Sequence, residues 1–108
     1  MNYMKYVLFL VLISVYGVAV SQEGKAVYQQ TCVACHGEDG KGVLPGVPDF
    51  TIDESRLDKP DSILLKNMYQ GMQSEGSPMA MPAKGGNSQL TENDLKNVLV
   101  YMRTVFSQ

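Results

Sequence analysis

Tryptophan is missing from this 108-residue sequence, and histidine occurs once, at His36. A single imidazole excludes chemistry that needs a second histidine as a dedicated acid or base. Cysteine occurs only at Cys32 and Cys35. With His36 they make three nitrogen and sulfur ligands, one short of a closed tetrahedral zinc site. No block of like charges appears and the net charge is −2, so nothing offers a surface to nucleic acid. Alternation of apolar and polar residues is never sustained long enough for a strand, and no internal repeat is found, which leaves the all-α class.

Only one long apolar run is present. Met1 to Lys5 carries a positive charge, Tyr6 to Val20 is apolar apart from Ser14, Tyr16 and Gly17, and small residues follow at Ala19 and Ser21. A basic start, a short apolar stretch and an A-x-S exit predict a secretory signal peptide over residues 1–21. At about fifteen residues the run falls short of the roughly 20 needed to span a bilayer. Cleavage after Ser21 leaves a single domain over 22–108, in which eight lysines and arginines face eleven acidic residues, a net −3. That domain has two phenylalanines and three tyrosines. So few aromatics make a thin core for a chain of this size, and a large flat apolar cofactor would supply what the side chains do not.

About four helices are expected, joined by loops rich in glycine and proline. Glu23 to Thr31 reads as a short helix with Val27 and Tyr28 as its apolar members. Gly37 to Pro48 holds four glycines and two prolines and reads as loop. Asp49 to Pro60 shows no sustained period. Asp61 is placed to cap a helix over Ser62 to Gln70, with Leu64, Leu65 and Met68 on one face and Gly71 ending it. Gly71 to Asn87 is again irregular. Thr91 then caps the clearest helix, with Asp94 as the capping-box partner and Leu95, Val98, Leu99, Met102 and Val105 at helical spacing.

Chemistry enters with Cys32-Val33-Ala34-Cys35-His36. Two thiols three positions apart can add to the two vinyl groups of one haem as thioethers. The next residue then lies beneath the porphyrin, where its imidazole can bind iron. A thioredoxin-like redox pair needs a strand–helix setting, and no such pattern surrounds this CxxC. The other axial ligand must come from elsewhere. With no second histidine, methionine is the remaining usual partner. Met68 and Met102 fall on apolar helix faces and Met72 follows a helix end, so these three read as core. Met79 and Met81 lie in a loop between prolines, and one of them is the expected ligand.

Taken together, GKAVYQQTCVACHGEDGKG, VPDF, the helix ending at Gly71, MPAKGG and LTENDLKNVLVYMR resemble a class I monohaem cytochrome c of the bacterial periplasmic type. The resemblance covers the whole of 22–108. It implies a small fold of about four helices wrapped around one covalent haem c, attached at Cys32 and Cys35, with His36 as the proximal iron ligand. It implies Met81 as the distal ligand, Pro48 as the carbonyl that accepts from the proximal imidazole, and packing of first against last helix through Gly24, Tyr28 and the Leu99/Tyr101 region. Local chemistry also favours Met81. Pro82 restricts the Met81 backbone to an extended form and has no N–H to leave orphaned. Met79, two residues away and on the same side of an extended chain, remains the alternative.

The expected function is that of a soluble one-electron carrier, not an enzyme, which is exported to the periplasm and works as a monomer. Its expected partners are redox proteins, a respiratory donor and an acceptor. No nucleic acid is involved, and no stable membrane insertion follows cleavage. Two alternatives are a haem subunit docked to a larger oxidoreductase and a small haem enzyme or gas sensor. Lys41 and Lys84 flank the attachment and methionine loops and would bias a partner's approach.

Overall fold

A computed structural model describes residues 22–52 and 56–107. The expected signal peptide, residues 1–21, lies outside the described residues. Helix α1 is built from ordinary helix over 22–27, a π-helical turn at Tyr28–Cys32 and a final turn at Val33–His36. In the π-turn the Val33 N–H reaches back five residues to the Tyr28 carbonyl. Such widened turns concentrate at functional sites. The helix therefore runs five residues beyond the predicted end at Thr31. It stops at Gly37, whose N–H bonds the Val33 carbonyl at 2.8 Å.

Helix α2, Asp61–Gln70, starts one residue earlier than predicted, with Pro60 in the capping position, and ends at Gly71 as expected. Helix α3, Glu92–Phe106, carries the predicted cap in full. The Asp94 N–H donates to Thr91 Oγ1 at 3.1 Å, and the Thr91 N–H donates to Asp94 Oδ2 at 2.8 Å. Its inner face is the predicted one except at the end, where Phe106 is buried and Val105 is half exposed. At 3.6 residues per turn Phe106 falls within about 20° of Leu95, whereas Val105 is about 80° away.

The described residues thus form three helices, not the four expected, plus a short 3₁₀ turn at Ala83–Gly86. The all-α class holds. No further α-helix is found among the described residues of Gly37–Ile52 and Arg56–Pro60, where glycines, prolines and the lack of a helical period leave mostly loop. The only β-type pairing among the described residues is a single antiparallel bridge between Met72 and Met81.

Tyr28, Phe50, Leu57, Val98, Tyr101, Met102 and Phe106 make one core. The Tyr28 ring lies 5.5 Å from Tyr101 and 5.4 Å from Phe106. Tilted pairs of this kind contribute about 0.5–1.5 kcal/mol each beyond the area they bury. Gly24 permits the crossing of α1 and α3, since a Cβ there would lie 2.2 Å from the Asn97 carbonyl oxygen. The aromatic complement is small but concentrated at this crossing, and α2 is left on the other side of a cavity.

Candidate functional site

A cavity of about 420 Å³ opens between these elements, and its lining includes Cys32, Cys35, His36, Pro48, Met79 and Met81. Three stretches distant in sequence therefore bring every predicted site residue to one space. Leu64 and Met68 of α2, and Leu99 and Met102 of α3, add apolar wall. Met102 is buried as expected, while Met68 and Met72 are half buried and share the cavity lining.

His36 closes the last turn of α1. Its ring stacks on Phe50 with centroids 5.0 Å apart and planes at 19°. Burial pushes the imidazole below its ordinary pKa, which keeps it neutral, the form that binds metal. Its Nδ1 is buried and has no hydrogen-bond partner. Pro48 lines the same cavity but makes no bond to that nitrogen. An unpaired buried ring nitrogen is costly in a protein and is expected where a ligand completes the site. The position after His36 is fixed by the buried Tyr28 hydroxyl, which donates to the Gly37 carbonyl at 2.6 Å.

Cys32 and Cys35 are half-buried free thiols. Burial, with Cys35 adding, pushes the Cys32 pKa up to about 11, so its sulfur is held as a thiol. That argues against a low-pKa redox pair. Beyond these groups, Arg56 and Lys59 line the cavity.

The methionine loop is braced from two sides. The Met72 N–H donates to the Met81 carbonyl at 3.0 Å, and the Met81 N–H returns to Met72 at 2.7 Å. Gly71 makes the approach possible. It has φ +78°, and a Cβ would lie 2.7 Å from the Met81 carbonyl oxygen. On the other side Asn87 Nδ2 donates to Thr31 Oγ1 at 3.3 Å, next to Cys32. Met81 is half buried and Met79 is 43% exposed.

The family model for cytochrome c matches residues 21–106. The chain belongs to the cytochrome c family. Over 79 residues it is 34% identical to cytochrome c-555 of Chlorobaculum thiosulfatiphilum, covering 73% of this chain and 88% of that protein. Cytochrome c-555 of Prosthecochloris aestuarii is 33% identical over 81 residues, 73% of this chain and 81% of the relative. The CcoP subunit of the cbb3-type cytochrome c oxidase of Cereibacter sphaeroides is 34% identical over 90 residues, 78% of this chain but 27% of the subunit. The cofactor is accordingly haem c, covalently held and containing iron, and the chain is an electron-carrying haem protein that acts with redox partners. Its residues fit that group: two thiols, a neutral imidazole with an unpaired Nδ1 and a largely apolar lining.

Several contributors to this site were not anticipated from sequence. Tyr28 as donor to Gly37, Phe50 as the stacking partner of His36, and Arg56 with Lys59 at the edge emerge only from the fold. A further one is Arg103, whose Nε donates to the Leu57 carbonyl at 3.0 Å and Nη2 to the Lys59 carbonyl at 2.8 Å, while Nη1 pairs with Asp61. It ties the 57–61 segment, which supplies Leu57 and Lys59 to the cavity, to α3. Lys41 is exposed. Lys84, by contrast, is half buried with its ammonium over the Tyr69 ring, which compromises it as a free steering charge.

Proposed function

We propose that this chain is a one-electron carrier of the periplasm, exported by a signal peptide over residues 1–21 and working as a monomeric domain over 22–108. The observation that carries the reading is the shared cavity, where the CxxCH segment and the methionine loop meet. Cys32 and Cys35 hold the cofactor, each by addition of S–H across a vinyl group, so no oxidant or reductant is consumed. His36 would ligate the iron through its neutral ring, and the Pro48 carbonyl, which is not bonded to Nδ1 here, would accept from the ring N–H that the iron leaves free. Met81 would be the second ligand, with Met79 as the alternative. When bound, the haem iron supplies one exchangeable electron, and Met/His ligation raises its potential. With both iron ligands supplied by the chain, no place would remain for a substrate, and the reading is not that of an enzyme. No described helix is long and apolar enough to cross a membrane.

Spectroelectrochemistry of the purified mature protein tests this directly. A single one-electron wave, with reduced protein that does not take up carbon monoxide, is expected. Ready uptake of carbon monoxide would mean an open iron and a different class of function.

A second reading has one observation behind it. The likeness to CcoP, named as an oxidase subunit, supports a place beside a larger oxidoreductase. Stable co-purification with such a complex would favour a docked subunit over a diffusing carrier.

A further inference from the structure

Lys84 is the only non-glycine residue with positive φ among the described residues, at φ 55° and ψ 28°. A lysine disfavours this left-handed conformation, and such outliers persist where surrounding contacts hold them. Here the contact is visible. The Lys84 ammonium sits 4.7 Å from the centroid of the Tyr69 ring. Tyr69 lies in the last turn of α2, two residues before Gly71, and is half exposed, so its ring gains little from core packing. Lys84 lies three residues after Met81, within the 3₁₀ turn that packs against α2.

We propose that Lys84 and Tyr69 form a latch that keeps the Met81 loop seated, and that they are positioning residues for the Met81 thioether. The proposal rests on the His36/Met81 ligation above. The Met72–Met81 bridge fixes the start of the loop, but only through two backbone hydrogen bonds. Beyond Pro82 the route to the Thr31–Asn87 bond on α1 needs a second hold on α2, and the cation over the ring supplies it. The left-handed Lys84 backbone turns its side chain toward Tyr69 at a cost that the contact offsets in part. When the latch opens, the loop gains freedom and the thioether leaves more often. An outside ligand can then take its place, with one iron–sulfur bond broken and one iron–nitrogen bond made and no electron exchanged.

The test is the rate at which imidazole replaces the methionine in the ferric holoprotein, read from loss of the sulfur-to-iron charge-transfer band. A partly exposed cation–π contact corresponds to about a two- to five-fold change in the population of the open loop. Lys84→Gln and Tyr69→Leu should each speed imidazole binding by that factor. The double variant should be no faster than either single one, because both remove the same contact. Lys84→Arg, which keeps a cation over the ring, should stay near the unsubstituted rate. Unchanged rates, or effects that multiply in the double variant, would overturn the latch. Met81→Ala measured alongside separates the two readings. If it keeps the band, the ligation is wrong and the latch falls with it. If it loses the band while the latch variants behave as the parent, only the latch is wrong.

Discussion

Replacing Gly24 by alanine adds one carbon at the point where α1 crosses α3. That Cβ would lie 2.2 Å from the Asn97 carbonyl oxygen, 2.8 Å from the Asn97 carbonyl carbon and 2.9 Å from Tyr101 Cβ. An ordinary carbon–oxygen contact is about 3.3 Å or more, so the helices must part by roughly 1 Å. Neither side can yield cheaply, because Asn97 presents mid-helix backbone rather than a flexible side-chain end. A gap of that size forfeits a quarter to a half of the dispersion attraction at the contacts it opens, among them Tyr28 with Tyr101. Overpacking costs typically 1–3 kcal/mol, and a clash with fixed backbone belongs at the upper end, about 3 kcal/mol. Gly76→Ala is the control. Gly76 is exposed with nothing within 4 Å of a Cβ, yet its φ is +78°, so only the conformational penalty of about 1–2 kcal/mol applies. Urea unfolding of the holoproteins, at a slope near 1.5 kcal/mol per M, should show a midpoint lower by about 2 M for Gly24→Ala and by about 1 M for Gly76→Ala. If Gly24→Ala proves no worse than Gly76→Ala, the close crossing is not what joins the first and last helices.

Met81→Ala is expected to lose the weak sulfur-to-iron charge-transfer band of the ferric protein and to lower its potential, whereas Met79→Ala keeps the band; the reverse pattern would assign the ligand to Met79. In cells able to attach haem, both thiols should be consumed, so the mature protein should titrate no free thiol and keep its haem through acid–acetone extraction. An unmodified chain in the intact mass would contradict attachment at Cys32 and Cys35. Arg103→Leu should cost about 1.5–3 kcal/mol in urea unfolding, since it removes charge-assisted bonds to two backbone carbonyls. Asp61→Asn should cost well under 1 kcal/mol, because that partner is 69% exposed. Equal losses would place the stabilisation in the ion pair instead.

The features legible in the sequence are those with a local cause. The α3 cap is written in Thr91 and Asp94, its buried face in the spacing from Leu95 to Met102, and the end of α2 in Gly71. The attachment segment is legible because its chemistry depends on spacing along one chain. Legibility fails where a residue's role depends on a distant partner. Nothing within a few residues of Tyr28 announces that its hydroxyl will meet the Gly37 carbonyl, nine residues on. Arg103 looks like a basic residue near a helix C-terminus, where a favourable dipole interaction is the usual expectation. Its bonds to Leu57 and Lys59 arise only once α3 lies beside that loop. The prediction that α1 ends at Thr31 failed for a related reason, because the apolar period is interrupted by the widened turn at Tyr28–Cys32. Across that turn the backbone stays helical, and Val27 and Cys32 both pack against the same core.

The thin aromatic core noted in the sequence acquires a structural meaning from α2. Tyr28, Tyr101 and Phe106 gather where α1 meets α3, and Phe50 joins them from the loop while also stacking on His36. None of the ten residues of α2 is fully buried. Its apolar residues Leu64 and Met68 face the cavity, and its far end holds the methionine loop through Gly71, Met72 and Tyr69. An isolated helix of this length is marginal in water, because nucleation is costly and the few bonds that follow do not repay it. Besides α3 and the 3₁₀ turn, the neighbour of α2 is the cavity, where the family's haem c would lie against Leu64 and Met68. Under the proposed ligation, one helix links holding the haem to presenting Met81. Under the proposed attachment, covalent bonds at Cys32 and Cys35 keep the haem in place whatever the redox state of the iron. A carrier built this way changes its charge by one electron without giving up the group that completes its fold.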